Sequence, residues 1–260
     1  QCDFLMAVSM RFDDGVTGTL KTYAKQAKII HIEIDPAEIN KNVKVDVALL
    51  GDAKKILRLL THIVSPNKHK EWVKEFKQAH AIEDKKVIHS DLYPEKPGLT
   101  MGEVVRRVSE YTKNNAVIVA DVGQHQMAAA RYSKFTRSRS HVSSGGLGTM
   151  GFGLPAAIGA KLGEPNREVV VFAGDGGFQM TIQELGTIAQ EKLGVKMIVL
   201  NNHFLGMVRQ WQELFFEKRY SFTEILSPDF VKVADAYGIP GNHVSDRDKL
   251  DDAIKVMFET

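Results

Sequence analysis

The apolar run from Glu168 to Ala173 ends abruptly in Gly174-Asp175-Gly176-Gly177, and this junction constrains the fold more than any other feature of the chain. Val169, Val170, Val171, Phe172 and Ala173 leave no polar face. A strand of that kind must be covered on both sides, the condition of a central strand in a parallel sheet. The glycines that follow suit a sharp strand-to-helix turn. The pattern recurs where Val195 to Leu200 runs into Asn201-Asn202 and where Ala116 to Asp121 runs into Val122-Gly123. In open α/β sheets ligands bind outside the carboxyl ends of strands, so chemistry is expected at these ends.

Further strand candidates precede them at Phe4 to Met10, Ile29 to Ile34 and Val45 to Leu50, followed by a helix from Asp52, its expected N-cap, to about Ile63. Residues 64–98 become Lys- and Glu-rich, hold an amphipathic stretch around Trp72 and Phe76, and close on Tyr93-Pro94-Glu95-Lys96-Pro97-Gly98. They read as an interdomain linker. Thr100 to Glu103 is a capping box that opens a second domain, residues 99–260, with its first helix running through Tyr111. Further helices are expected from about Phe152, Phe178, Gly206 and Pro228, the last capped by Ser227. Strands alternating with helices make the class α/β with parallel sheets.

The 34 basic and 32 acidic residues are spread along the chain, so no basic face advertises nucleic acid or an anionic membrane. Small-molecule partners are expected instead. A single cysteine, Cys2, excludes an internal disulfide and a cysteine-built metal site, which fits a reducing compartment, the cytoplasm by default. No apolar run approaches the roughly 18 residues that span a bilayer. The chain starts at Gln1 rather than Met and enters an apolar stretch at once, which reads as a piece of a longer protein.

The interval between Gly176 and Asn201 accommodates one helix and one strand, so two adjacent parallel strands would deliver Asp175 and Asn202 to the same sheet edge. Mg²⁺ takes oxygen ligands and is usually held by one or two carboxylates plus phosphate oxygens. Asp175, the Asn202 amide oxygen and a nearby carbonyl would leave room for a diphosphate, whose oxygens could approach the backbone N–H groups of the glycines and a helix N-terminus. Either half alone is explained as well by a turn with an N-cap or by a strand end. A rival motif is Gly146-Leu147-Gly148-Thr149-Met150-Gly151, which satisfies the G-x-G-x-x-G pattern of NAD-dependent dehydrogenases, with Asp175 in the place of the ribose-binding acid. That fingerprint needs a preceding strand, and Arg137 to Ser144 does not read as one. The glycines read instead as a loop allowing close approach to a ligand, with Met150 projecting from it.

Around this pair, Val122-Gly123-Gln124-His125-Gln126-Met127, the stretch Gly146 to Pro155, and Gly206-Met207-Val208-Arg209-Gln210-Trp211-Gln212 resemble segments of acetolactate synthase large subunits, thiamine diphosphate enzymes. Arg11-Phe12-Asp13-Asp14, Val16-Thr17-Gly18, His31 to Ile39 and Gly51-Asp52 resemble the second half of that family's central, FAD-binding domain, which assigns residues 1–63 to it. The resemblance implies that Asp175, Asn202 and the Phe204 carbonyl bind Mg²⁺. Gly123, Gln124, His125, Gly148, Gly174, Gly176, Gly177, Leu205 and Gly206 would contact thiamine diphosphate. Met150 would support the bent cofactor, Met207 would line its thiazolium and substrate side, and Trp211 would favour 2-oxobutyrate over a second pyruvate. An ordinary amphipathic-helix anchor explains Trp211 as well. Glu33, Ile34, Asp52 and Ala53 become FAD candidates, although strand-end and capping positions explain Glu33 and Asp52 equally. Gly15 stands where the family usually has an Arg.

The implied reaction is carboligation: pyruvate is decarboxylated on the cofactor, and its two-carbon unit joins a second 2-oxo acid to give 2-acetolactate or 2-aceto-2-hydroxybutyrate. A homo-oligomer, at least a dimer, and a small regulatory subunit are implied partners. The family's activating Glu lies in an N-terminal domain, so this chain alone is expected to be inactive. Related thiamine diphosphate decarboxylases or oxidases, and a noncatalytic assembly module, are the other readings.

Overall fold

The computed structural model describes residues 2–260, so the expectation attached to Gln1 lies outside the described residues. The chain forms two compact units divided between Lys74 and Glu75. In the first, β1 (Phe4–Val8), β2 (Lys28–Glu33) and β3 (Val47–Leu50) make a parallel sheet in that order, with Glu33 opposite Leu50. A single turn, α1 (Asp14–Thr17), follows β1, and α2 (Ala53–Leu60) follows β3. The Asp52 carboxylate caps α2 by accepting the Lys55 N–H at 3.0 Å. β1 stops short of Met10 because Ser9 turns to a positive φ of 51°. The Met10 carbonyl then accepts a hydrogen bond from Nε2 of the buried His31 at 2.9 Å. Phe12 packs edge-on against that imidazole, and with Ala7 and Ile29 it forms the small core of this unit.

The stretch read as a linker is helical over most of its length: α3 (Lys70–Glu83), a π-helical turn (Asp84–Ile88) and α4 (His89–Leu92) run in succession. Between Lys70 and Leu92 there is no glycine or proline, and Lys, Glu, Gln and Ala favour helix. Its later part belongs to the second unit, where Glu83 pairs with Arg131 and the Leu92 carbonyl accepts from Arg106 at 3.1 Å.

The second unit continues with α5 (Met101–Tyr111), β4 (Val117–Ala120), α6 (Gln124–Tyr132), β5 (His141–Ser143), α7 (Gly153–Gly163) and β6 (Val169–Gly174). It ends with α8 (Asp175–Met180), α9 (Leu185–Gln190), β7 (Val195–Leu200), α10 (Gly206–Phe215), α11 (Phe230–Ala236) and α12 (Leu250–Glu259). Its four strands are all parallel, in the order β5-β4-β6-β7. Alternation along β6 explains its unbroken apolarity. Val169, Val171 and Ala173 pack with Leu154, Ala157 and Ile158 of α7, Phe178 of α8 and Leu185 and Ile188 of α9. Val170 and Phe172 pack on the other face with Val104, Val105 and Val108 of α5, Ala129 of α6, and Leu250 and Ile254 of α12.

Buried charges brace this core. Arg167 is 5% exposed and donates to the Asn115 carbonyl at 2.8 and 3.1 Å and to Ser140 Oγ at 2.7 Å, closing the amino ends of β4 and β5. Glu103 is buried between Arg247, at 2.9 Å, and Arg107, at 3.3 Å.

Three local expectations are corrected. Arg137 to Ser144 does contain a strand, the short edge strand β5, whose polar residues pair with β4 through their backbone. The helix after Gly174 begins at Asp175 rather than Phe178 and breaks at Thr181. The cap of α11 is Asp229, which accepts the N–H groups of Val231 and Lys232, and Ser227 serves elsewhere. Among the described residues no helix is long and apolar enough to cross a membrane.

Phe172 has no exposed surface, whereas Leu162 on α7 is largely exposed. Phe172→Ala is expected to cost about 3–5 kcal/mol by urea unfolding, and Leu162→Ala to stay within about 0.5 kcal/mol. Similar losses would contradict the assignment of the core.

Candidate cofactor site

In the second sheet β4 stands between β5 and β6, and the helices that follow β4 and β6 lie on opposite faces. Their connections diverge at the carboxyl edge and open a crevice, the switch point at which α/β sheets bind ligands. The polar residues singled out in the sequence converge there. Gly174 pairs with Leu200 in the β6–β7 register, so Asp175 and Asn201-Asn202 leave adjacent strands side by side.

Asp175 is buried, and its Oδ2 accepts the Ser227 hydroxyl at 2.8 Å. Ser227 Oγ also lies 3.2 Å from Asn201 Oδ1, so one hydroxyl spans both strand ends. Asn202 Oδ1 accepts the Phe204 N–H at 3.1 Å, making a tight turn. Residues 223–225 fasten that turn, since Leu205 N donates to the Thr223 carbonyl at 2.7 Å and Ile225 N to the His203 carbonyl at 3.0 Å. Arg209 is held between the rings of Phe204 and Tyr220, 4.4 and 4.1 Å from their centroids.

Gln124 opens α6 and donates to Gln210 Oε1 at 3.0 Å, and both Gln124 and the Asn202 amide close on Gly206. Met150 also reaches the site: its Cε lies 3.8 Å from where a Cβ on Gly176 would stand, beside Leu205 and Ile225. Met207 is half-buried on α10, while Trp211 is mostly exposed one turn later, its ring 4.9 Å from that of Phe215. Gly148 takes a positive φ of 61° in open space, its N–H bonded to the Ser144 carbonyl at 2.9 Å.

His125 fills the gap between Gly123 and Gly174, where a Cβ on either residue would stand 2.6 or 2.8 Å from its Cε1. It is buried, and Nε2 has no protein partner. Burial pushes its pKa down to about 4, against the opposing pull of a hydrogen bond with the Asp121 backbone. The ring is neutral at pH 7.

Asp121 is a residue whose role the sequence reading missed. It follows β4, is 1% exposed, and accepts the N–H groups of Val122 at 2.6 Å and Gly151 at 2.9 Å. Burial raises its pKa, and backbone hydrogen bonds from Val122, Gly151, Gly153 and Phe152 pull it back. The signal was a carboxylate ending an otherwise apolar buried strand.

The donors suit a metal-bound diphosphate. One buried carboxylate, an amide oxygen and a backbone carbonyl lie near backbone glycines and a neutral histidine with an unanswered ring nitrogen. The described residues contain no cluster of three or more His, Cys, Asp or Glu side chains that would hold a metal without such a ligand. Residues 121–260 match the family described as thiamine pyrophosphate enzyme, C-terminal TPP binding domain, and residues 1–60 match its central domain. The chain belongs to the thiamine pyrophosphate enzymes. Thiamine pyrophosphate is thiamine diphosphate under its other name. The chain is 43% identical to the acetolactate synthase isozyme 2 large subunit of Escherichia coli (strain K12), over 100% of this chain and 46% of that protein. It is 41% identical to the acetolactate synthase large subunit of Lactococcus lactis subsp. lactis, over 100% and 44%. A probable acetolactate synthase large subunit of Methanocaldococcus jannaschii is 42% identical, over 98% and 44%. The chain thus spans about half the length of the curated relatives it matches.

The sheet order does not fit a dinucleotide fingerprint at the glycine motif. β5 supplies the strand that a dehydrogenase fingerprint requires, but β6, which delivers Asp175, pairs with β4 and β7 rather than with β5. The Gly151 N–H is moreover occupied by Asp121.

In the first unit the flavin candidates meet at one edge. Glu33 ends β2 and Ile34 follows it, beside Asp52 and Ala53, and Gly51 N donates to the Glu33 carbonyl at 2.8 Å. Glu33 Oε1 already accepts the N–H groups of Ile34 and Asp35, at 2.8 and 3.3 Å, and Ile34 is 68% exposed. Gly15 is exposed in α1, with Asp13 Oδ1 3.4 Å from the position of a Cβ.

The depressed pKa of His125 has a measurable sign. Between about pH 4 and 6.5 the unfolded chain binds the proton that the folded chain refuses. The stability that the neutral ring contributes is complete above about pH 6.5 and is lost as pH falls toward 4. The stability difference between wild type and His125→Gln is therefore expected to shrink by about 3 kcal/mol over that window, as read by urea unfolding. A constant difference would mean that the ring titrates normally in the fold.

Proposed function

We propose that this chain is the cofactor-anchoring part of an acetolactate synthase catalytic subunit. The observation that carries the reading is the side-by-side delivery of Asp175 and Asn202 from β6 and β7 to the crevice that also holds Gln124 and Met150. Asp175, the Asn202 amide oxygen and the Phe204 carbonyl would hold Mg²⁺, and the metal in turn a diphosphate, the arrangement this cation favours. Gly123, Gln124, His125 and the backbone of Gly174, Gly176 and Gly177 would receive the diphosphate. Gly148, Leu205, Gly206 and Met207 would contact the rest of the cofactor, and Met150 would support its bend. When bound, thiamine diphosphate supplies the nucleophilic carbon and the electron sink for decarboxylating a 2-oxo acid.

The protein's part is orientation and exclusion of water. Trp211 stands at the exposed rim of α10 as a wall for the acceptor, pyruvate or 2-oxobutyrate. Its exposure fits a side chain that meets substrate or another segment, and the names of the relatives support the reaction class. FAD is assigned to the edge formed by Glu33, Ile34, Asp52 and Ala53. Assembly as at least a homodimer, a small regulatory subunit and a cytoplasmic location complete the proposal.

Thiamine diphosphate with Mg²⁺ is expected to raise the unfolding midpoint, by about 2.7 kcal/mol of stability at ~100 times Kd, while NAD does not. Asp175→Ala abolishes that gain. Stabilisation by NAD alone would overturn the assignment.

In the full-length enzyme Trp211→Leu is expected to lower the preference for 2-oxobutyrate over pyruvate about tenfold or more, since one methylene in a pocket is worth about 1–3 kcal/mol. Cofactor affinity would stay near wild type. Unchanged product ratios would remove Trp211 from the acceptor wall.

The present chain alone is expected to make no acetolactate from pyruvate with saturating cofactors. The family resemblance puts the carboxylate that activates the pyrimidine ring in an N-terminal domain, and here Asp121 is engaged by backbone N–H groups and Asp175 by the Ser227 hydroxyl. Turnover by this chain alone, read as acetolactate formed, would contradict that.

A further inference from the structure

Asp121 touches none of the residues assigned to the metal, yet three segments of the site meet on its carboxylate. Oδ1 takes the Val122 N–H at 2.6 Å, which fixes the turn leading into Gly123 and Gln124. Gly151 N donates to Oδ1 at 2.9 Å and lies 3.2 Å from Oδ2, and the N–H groups of Phe152 and Gly153 add to this grip. Gly177, in the first turn of α8, packs so closely that any Cβ there would collide with Oδ2. A Cβ on Gly153 would likewise lie 2.8 Å from Asp121 Cβ.

Met150 directly precedes the N–H that Asp121 holds, and the Met150 methyl lies over Gly176, next to the glycine pressed against the carboxylate. Thr181 closes the same contact from behind, its hydroxyl donating to the Gly151 carbonyl at 2.9 Å. A buried carboxylate is expensive to desolvate, and this one is answered by backbone N–H groups, with no Lys, Arg or His paired to it among the described ion pairs. Backbone donors have fixed positions, so they make the carboxylate a spacer of defined size between β4, the Met150 loop and α8.

We infer that Asp121 is a positioning residue which sets the height of Met150 above the diphosphate-binding glycines, and so the support given to the cofactor. The role assigned to Met150 rests on the reading in the preceding subsection; the anchoring of the loop by Asp121 does not. Asn at this position keeps the shape but replaces one acceptor by an NH₂ group that faces either the Gly151 N–H or the Gly177 backbone. The loop must then move. A misplacement of about 1 Å costs on the order of 10²-fold in rate when it disturbs reactive geometry.

The test uses the full-length enzyme with Asp121→Asn, Met150→Ala and the double substitution, in two arms. Without cofactor, amide hydrogen exchange at residues 150–153 is expected to accelerate about tenfold or more in Asp121→Asn while the β6 amides keep their protection. Unchanged exchange at 150–153, or equal acceleration throughout the sheet, would overturn the spacer role. With thiamine diphosphate and Mg²⁺, Asp121→Asn is expected to lower kcat about 10²-fold with a much smaller change in cofactor affinity. It should add little to the loss already caused by Met150→Ala. Fully additive losses in the double variant would overturn the action through Met150. If wild type showed no stabilisation by thiamine diphosphate with Mg²⁺, the functional reading would fail while the exchange result still judged the spacer.

Discussion

Everything at the candidate site depends on β6 being buried on both faces while paired on one edge with β4 and on the other with β7. Double-sided burial requires helices on both faces, and the crossovers that supply them leave β4 and β6 in opposite directions. The carboxyl ends of the two strands therefore cannot be bridged by a single packed turn. The resulting crevice is a consequence of covering the sheet, and the candidate site residues occupy a gap that the fold would have in any case. Placing Asp175 and Asn202 there needs no contact between them, because the β6–β7 register already fixes their separation.

Buried charge is handled differently at the two ends of that sheet. At the amino end Arg167 spends its guanidinium on backbone carbonyls and Ser140. At the carboxyl end Asp121 is met by backbone N–H groups and His125 is left neutral. A long arginine side chain at the first end tolerates small shifts, because it can follow the groups it binds. Backbone donors at the second end do not follow, and geometry is thus most tightly defined where a cofactor would be gripped.

Much of this was legible in the residues themselves. The all-apolar strand before Gly174-Asp175-Gly176-Gly177 announced a central parallel strand, and the interval to Asn201-Asn202 placed the two ends together, as found. Thr100 and Asp52 cap the helices expected of them. One failure has a plain cause: a short polar segment carries no periodicity. β5 is three residues long and held by backbone pairing, so its polar side chains concealed it. Ser227 before Pro228 has the form of a helix start, but a tertiary partner, Asp175, claimed the hydroxyl and Asp229 took over the cap. The helix Lys70–Glu83 was not assigned from sequence, although the amphipathic stretch around Trp72 and Phe76 lies within it. Asp121 was passed over because three of the four amides that meet it come from the distant loop at Gly151, Phe152 and Gly153, and the local signal was only a carboxylate ending a buried strand.

Under the metal role proposed for Asp175, the Ser227 hydroxyl between Asp175 and Asn201 would bear on kinetics as well as structure. A carboxylate held in its rotamer before any cation arrives has little torsional freedom left to surrender on coordination. Arrival of the cation would then be limited less by rearrangement of the chain than by release of water from the ion itself. Mg²⁺ sheds its hydration shell reluctantly. On that view a cation that exchanges water faster would enter the same prearranged ligands sooner, even where the final complex is no tighter, and the order of loading would reflect the chemistry of the ion rather than the flexibility of the protein.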